Sequence, residues 1–186
     1  MDELAKGNFE FCLKAVLAEI GHYRDSPDPI NFGVSQSQYE DWVGYRVNEK
    51  FMRGMDVSHV RTFYKVKFWE SAGCDNIYVG LDLCLFDFAI QAGSDIAIKH
   101  LQRTIGSAED GVIGPKTSSI AHQYVSASGL NYAIMKYQDM RRDYCANLKT
   151  YEHNEQEISS RINIIERVAL SLVPKTLTSE IGRAHV

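Results

Sequence analysis

Apolar positions recur at three- and four-residue intervals through most of the chain, the period that gathers side chains on one face of an α-helix. Phe9, Cys12, Leu13, Val16, Leu17 and Ile20 form the first such stripe, and Gly21 is placed to end it. Between residues 22 and 34 the period breaks. Asp25, Ser26, Pro27, Asp28, Pro29 and Gly33 carry turn chemistry, which predicts a small irregular or β-like loop. The run SQYE from Ser37 to Glu40 reads as a capping box that opens a second helix. A further helix is predicted from Asp56 or Ser58 through HVRTFYKVKFWES, stopping at Gly73.

The stretch IYVGLDLCLFDFAIQAG is apolar almost all round and is interrupted only by Asp82, Asp87 and Gln91. That is the pattern of a helix at the centre of a domain. An unpaired charge there is costly, so Asp87 is expected to meet an arginine or cap a backbone group. SDIAIKHLQRTIG follows as an amphipathic helix, with Ser94 as N-cap and Gly106 as stop. In the turn AEDGVIGPKT, Asp110-Gly111 and Gly114-Pro115 reverse the chain and Thr117 is a candidate cap. Helices are then predicted through SSIAHQYVSA, NYAIMKYQDMRRDYCANL and NEQEISSRINIIERVALSL. No strand-like alternation, internal repeat or low-complexity linker is found. The predicted class is all-α, a single domain over residues 1–176 followed by a tail at 177–186.

Composition narrows the function. With 186 residues and 45% hydrophobic content the chain is long enough to bury a core, and a net charge of −4 gives no global attraction to nucleic acid or anionic lipid. Cys12, Cys74, Cys84 and Cys145 lack metal-ligand spacing, and Cys12 and Cys84 read as reduced, buried thiols. No metal or cofactor is implied. The opening MDELAKGNFEF lacks the basic start and apolar core of a signal peptide, and no apolar run reaches membrane-spanning length. Cytoplasmic synthesis without membrane insertion is the expectation. The closing EIGRAHV matches the translation of a common sequencing-library adapter, so residues 180–186 are set apart from the fold.

One residue does not fit the helical pattern electrostatically. Glu19 stands in the last turn of the first predicted helix, where the macrodipole favours cations. On the helical wheel it falls at the edge of the apolar stripe, facing whatever the following loop encloses.

Three stretches together resemble glycoside hydrolase family 108, the N-acetylmuramidases often labelled phage endolysins or secretion activator proteins. EIGHYRDSPDPINFGVS is similar to the family's E-G-G-(Y/F) followed by D-P-G-G-x-T-x-x-G-(I/V)-T. FYKVKFWESAGCDNIYVGLDLCLFDFAIQAG resembles its Y-x-x-x-(Y/F)-W, cysteine-aspartate and F-D-x-A-(V/I)-N-x-G. AIKHLQRTIGSAEDGVIGPKT is similar to its A-x-x-x-L-Q-x-x-(L/I)-G-x-x-x-D-G-x-(I/V)-G-P-x-T, a motif shared with peptidoglycan-binding modules. The order holds from residue 9 to residue 170, and the second half, residues 93–172, resembles a peptidoglycan-binding helical region. The chain departs from the pattern at Ile20, which replaces a glycine, and at Gln91, which replaces the asparagine. After Asp28-Pro29 the loop is shorter, the G-G pair is missing, and Ile30 or nothing fills the threonine position.

The resemblance implies a lysozyme-like helical fold with Glu19 as catalytic general acid. Asp28 keeps the family's spacing and is either the second carboxylate or a turn residue before proline, with Asp25 a competitor. Asn31, Trp69 and Gln91 are the candidates for substrate binding. Trp69, with Tyr64 and Phe68, is equally readable as core at helical spacing. The implied substrate is bacterial cell-wall peptidoglycan, cleaved at the β-1,4 bond between N-acetylmuramic acid and N-acetylglucosamine without a cofactor. The implied setting is a monomeric endolysin released to the wall by a holin. Two rivals stand beside it: a non-catalytic peptidoglycan-binding protein of the same fold, and a lytic transglycosylase.

Overall fold

The computed structural model describes residues 7–148 and 151–174, so the EIGRAHV tail lies outside the described residues. Within them the chain is helical apart from one small hairpin. Its order is α1 (Phe9–Ile20), β1 (Ile30–Asn31), β2 (Val34–Ser35), α2 (Gln36–Val43), α3 (Glu49–Arg53) and α4 (Val57–Tyr64), then α5 (Leu81–Ala92), α6 (Ser94–Ile105), α7 (Pro115–Ser128), α8 (Leu130–Ala146) and α9 (Tyr151–Ser171). The expected β-like loop is an antiparallel hairpin, pairing Ile30 with Ser35 and Asn31 with Val34.

The core is built around α5. Every residue from Leu81 to Ala89 is buried, Asp82 and Asp87 included, and α1, α6, α8 and α9 all pack against it. The approach of α9 is close. Gly80, at φ 92°, opens α5, and a Cβ there would come within 2.6 Å of the Ala169 carbonyl oxygen. All four cysteines are free and buried, as the apolar patterns around Cys12 and Cys84 suggest.

Several helix starts differ from the sequence expectation, each because a side chain found a stronger partner. The capping box of α2 is formed by Ser35 and Gln38 rather than by Ser37 and Glu40. Ser37 is taken by Asp28, while buried Glu40 accepts from Gln36 and from the Val47 N–H. Asp56, one of the two expected starts, does open α4, with His59 completing its capping box. Gly93 stands at the cap of α6, and Ser94 instead bonds Ser71 through their hydroxyls at 2.6 Å. α7 begins at Pro115, so Thr117 lies inside it and donates to the Val112 carbonyl at 3.1 Å. The turn before α7 is closed by buried Gln102, whose Nε2 donates to Asp110 Oδ1 at 2.6 Å and whose Oε1 accepts the Gly111 N–H at 3.0 Å. That accounts structurally for the glutamine and the aspartate-glycine pair of this motif.

The helix expected through KFWES is not regular. After α4 the chain widens into a π-helical turn over Lys65–Glu70. The turn carries Trp69 into the core, edge-on to Phe9 at 5.5 Å and to Phe86 at 5.4 Å.

Candidate active site

α1 ends where its apolar period ends. Gly21, at φ 80°, donates its N–H to the Leu17 carbonyl at 3.3 Å and turns the chain out of the helix. Glu19 lies half-buried in that final turn, which contains no basic residue to offset the dipole. α1 packs against α9, the helix that carries Arg161.

Arg161 belongs to a buried network. Its Nη2 and Nε reach Asp87 Oδ1 at 2.6 and 3.1 Å, and Arg141 Nη2 reaches Asp87 Oδ2 at 2.7 Å. Arg141 then donates through Nε and Nη2 to Gln91 Oε1 at 2.9 and 2.6 Å. Burial pushes the Asp87 carboxyl up, but Arg161 and then Arg141 outweigh it and hold the group below the usual carboxylate range. Burial likewise acts to lower Arg161. The Asp87 carboxylate, with Tyr64 and Glu19 adding to it, keeps that guanidinium above its ordinary value.

The hairpin closes over the end of α1. At its tip Phe32 adopts φ 48°, the only positive φ at a non-glycine among the described residues. Gly33 follows at φ 73°, where a Cβ would meet Ile20 Cγ2 at 2.6 Å and Tyr64 Oη at 2.9 Å. The tip therefore rests on the residue beside Glu19 and on the hydroxyl of Tyr64. That hydroxyl donates to the Phe32 carbonyl at 2.7 Å, and His22 meets the Phe32 ring edge-on at 5.6 Å.

The other expected residues are placed as follows. Asp28 stands before the hairpin, with Oδ1 accepting the Ser37 N–H at 3.0 Å and Oδ2 the Ser37 hydroxyl at 2.6 Å. Those bonds, at the N-terminal turn of α2, hold the carboxyl below its ordinary range and therefore ionised. Asn31 is buried, with Nδ2 donating to the Met52 carbonyl at 2.8 Å and Oδ1 accepting the Phe32 N–H at 2.9 Å. Its amide fastens the hairpin to α3 rather than facing a ligand. Trp69 is 0% exposed and donates Nε1–H to Asp75 at 3.0 Å, so of its two readings the core one is observed. Gln91 is half-buried, and its carbonyl is held by Arg141 instead of facing a sugar.

The structure thus links Arg161 to Gln91 through Asp87 and Arg141, while Asp28 and Asn31 build the hairpin that rests on the end of α1. Asp87 finds the arginine its sequence setting calls for, and a second one besides. Arg161 and Arg141 themselves escape a reading of the sequence. An aspartate in an apolar helix announces that a cation is needed, but nothing local says which arginine supplies it. Among the described residues no three His, Cys, Asp or Glu side chains converge as metal ligands, and no helix is long and apolar enough to cross a membrane.

A half-buried carboxyl at the end of α1, with an ionised carboxylate on the loop that follows, is suited to proton transfer. Comparison with known proteins points the same way. The family model described as Glycosyl hydrolase 108 matches residues 14–93, which include Glu19, Asp28, Asp87 and Gln91. No curated protein sequence matches the chain. Among solved structures, "Structure of Brucella abortus SagA" superposes with a TM-score of 0.79 at 26% identity, covering 93% of this chain and 100% of that one. Residues 14–93 thus match the glycosyl hydrolase 108 family model, within a helical fold that superposes on that structure and continues through α9.

Proposed function

We propose that the chain is an N-acetylmuramidase, hydrolysing the β-1,4 bond between N-acetylmuramic acid and N-acetylglucosamine in peptidoglycan. Glu19 is the general acid and Asp28 the ionised carboxylate that assists it. The observation that carries this reading is the position of Glu19, half-buried at the end of α1, next to the Ile20 on which the hairpin tip rests, and inside the segment that matches the family model. Glycoside hydrolysis asks for one carboxyl that gives a proton to the leaving oxygen and a second that faces positive charge or a water. A positioned acid contributes about 10²–10⁴-fold to such a reaction. The hydrogen bonds from Ser37 keep Asp28 charged, as the second role requires.

Peptidoglycan lies outside the cytoplasm, so the chain works at the wall after release, in the manner of a phage endolysin freed by a holin. It does so as a monomer, with residues 1–176 acting as one unit. The deciding experiment compares wild-type protein with Glu19→Gln on purified peptidoglycan and identifies the new ends by mass spectrometry. Reducing muramic acid ends that vanish in the variant are expected. Anhydro ends would make the chain a transglycosylase, polymer left intact by the wild-type protein would make it a binder, and an active, folded variant would remove Glu19 from the mechanism.

A further inference from the structure

The chain has two tryptophans, and their indoles are treated in opposite ways. Trp69 is fully buried and its N–H donates to Asp75 at 3.0 Å. Trp42, near the end of α2, is half-buried, and its N–H has no hydrogen-bond partner among the described residues. Buried Phe63 meets the Trp42 ring edge-on at 5.7 Å, and the Lys67 ammonium lies 5.5 Å from its centroid. Lys67 comes from the same π-helical turn that sends Trp69 inward. It is exposed and meets no carboxylate among the described residues. An indole kept at the surface with a free donor, beside an unpaired cation, is suited to a ligand that is apolar on one side and polar on the other.

Trp42 is tied to the candidate site by two routes. Phe63 meets the Tyr64 ring at 5.8 Å, and the Tyr64 hydroxyl donates to the hairpin tip at Phe32. α2 itself starts at the hairpin. Ser37 in its first turn bonds Asp28, and Trp42 stands about 7–8 Å further along the helix axis. That is less than the disaccharide repeat of a β-1,4-linked glycan.

We propose that Trp42 and Lys67 form a sugar subsite beside the hairpin, which takes an acidic amino sugar of the glycan, the N-acetylmuramyl unit with its attached peptide. This rests on peptidoglycan being the substrate. The indole offers apolar surface to the C–H face of the pyranose, and its N–H donates to an N-acetyl or hydroxyl oxygen. Lys67 meets a carboxylate of the lactyl group or of the peptide it carries. At a net charge of −4 the chain as a whole repels an anionic glycan, so a local cation is what holds and selects the acidic sugar.

Because Trp69 is buried, Trp42 is the indole a ligand can reach, and its fluorescence reports occupancy. The probe is a soluble, uncross-linked peptidoglycan fragment carrying its peptides, titrated into Glu19→Gln protein, with a chitooligosaccharide of equal length as the neutral control. A saturable emission change and protection from acrylamide quenching are expected, and adding Trp42→Phe should remove both. Lys67→Gln is expected to weaken binding of the peptidoglycan fragment about three- to tenfold at low salt and to leave the chitooligosaccharide unaffected. With Glu19 intact, Trp42→Ala is expected to raise KM about tenfold while kcat stays within about twofold.

No emission change at fragment concentrations well above KM would overturn the proposal. So would an unmoved KM in folded Trp42→Ala protein, or equal effects of Lys67→Gln on both glycans. Emission that varies with protein concentration in the absence of glycan would give this face to a second copy of the chain instead. Should Trp42→Ala fail to fold, the emission titration and Lys67→Gln, at an exposed side chain, decide the matter. If the wild-type protein leaves peptidoglycan uncut while Trp42 still responds to the fragment, the hydrolase reading fails and the subsite stands.

Discussion

Tyr64 donates its hydroxyl to the carbonyl of Phe32 at 2.7 Å, joining the end of α4 to the tip of the hairpin that rests on Ile20, the neighbour of Glu19. The bond lies at the point where the backbone takes its least favourable turn, since Phe32 is held at φ 48°. Removing the hydroxyl leaves a buried carbonyl without that donor, a loss of about 1–3 kcal/mol. Tyr64→Phe is therefore expected to lower Tm by several degrees and to reduce kcat more than its stability loss accounts for. Thermal melting beside initial rates on soluble muropeptide checks both. A variant with lowered Tm and full activity would mean that the hairpin tip plays no part in turnover.

Gly33 tests the same tip by steric means. An added methyl would sit 2.6 Å from Ile20 Cγ2 and 2.9 Å from Tyr64 Oη, at a φ of 73° that L-residues disfavour. Gly33→Ala is expected to cost about 1–2 kcal/mol from backbone conformation alone and to lift the tip away from Ile20 and the end of α1. Activity should fall by tenfold or more in protein that remains folded by circular dichroism.

Asp28 is bonded by both oxygens to Ser37, whereas Asp25 is largely exposed and meets Arg53 at 3.3 Å. Asp28→Asn should accordingly reduce turnover far more than Asp25→Asn. Because the folded-state pKa of Asp28 lies below its unfolded value, the stability it contributes is complete above about pH 4 and is lost as pH falls through the folded value. Ser37→Ala separates the two roles. It weakens the tie to α2 but leaves the carboxylate in place, so activity lost equally in Ser37→Ala and Asp28→Asn would reduce Asp28 to a structural tie.

Asp82 supplies a pH dependence of opposite sign. Burial, only partly opposed by the Asn8 amide and the Leu83 and Gly80 N–H groups, pushes its carboxyl from 3.8 up to about 6. The folded protein then holds this proton more tightly than the unfolded chain does. Stability from Asp82 is thus fully present below pH 3.8 and falls as pH rises through about 6, by up to roughly 3 kcal/mol. Asp82→Asn should flatten the change in denaturant midpoint between pH 4 and pH 7. Its Oδ1 can still accept from Gly80 and Leu83, and the Asn8 amide can turn over to accept in place of donating. A slope unchanged by the substitution would place the pH dependence elsewhere.

What the sequence made legible follows from the range of each interaction. The stripe from Phe9 to Ile20 is a local period, and α1 covers those residues. The run around Asp87 shows burial by composition alone, and α5 is buried from Leu81 to Ala89. Strands of two residues are too short to show alternation, so residues 30–35 are readable as irregular or β-like and no further. Ser94 has the chemistry of an N-cap, but Ser71, distant in sequence, competes for its hydroxyl. Asn31 is a polar loop residue in the sequence, and only the position of Met52 shows that its amide is internal. Glu19 was legible because helix, glycine stop and family motif all lie within a few residues of it. Arg161 was not, because its relation to Asp87 spans 74 positions.

That span bears on how the chain can be cut and recombined. The matched family segment ends at Gly93, yet Asp87 within it is 0% exposed and draws its cations from α8 and α9. A fragment ending at residue 93 would strand that carboxylate in the core without a counter-ion, at several kcal/mol. It would also leave the apolar surface of α5 facing water. Exchanging C-terminal halves between relatives is then restricted to partners that present arginines at both positions. The heritable unit of this enzyme is longer than its family signature, and a graft or truncation that respects only the signature forfeits the electrostatic foundation on which α5 stands.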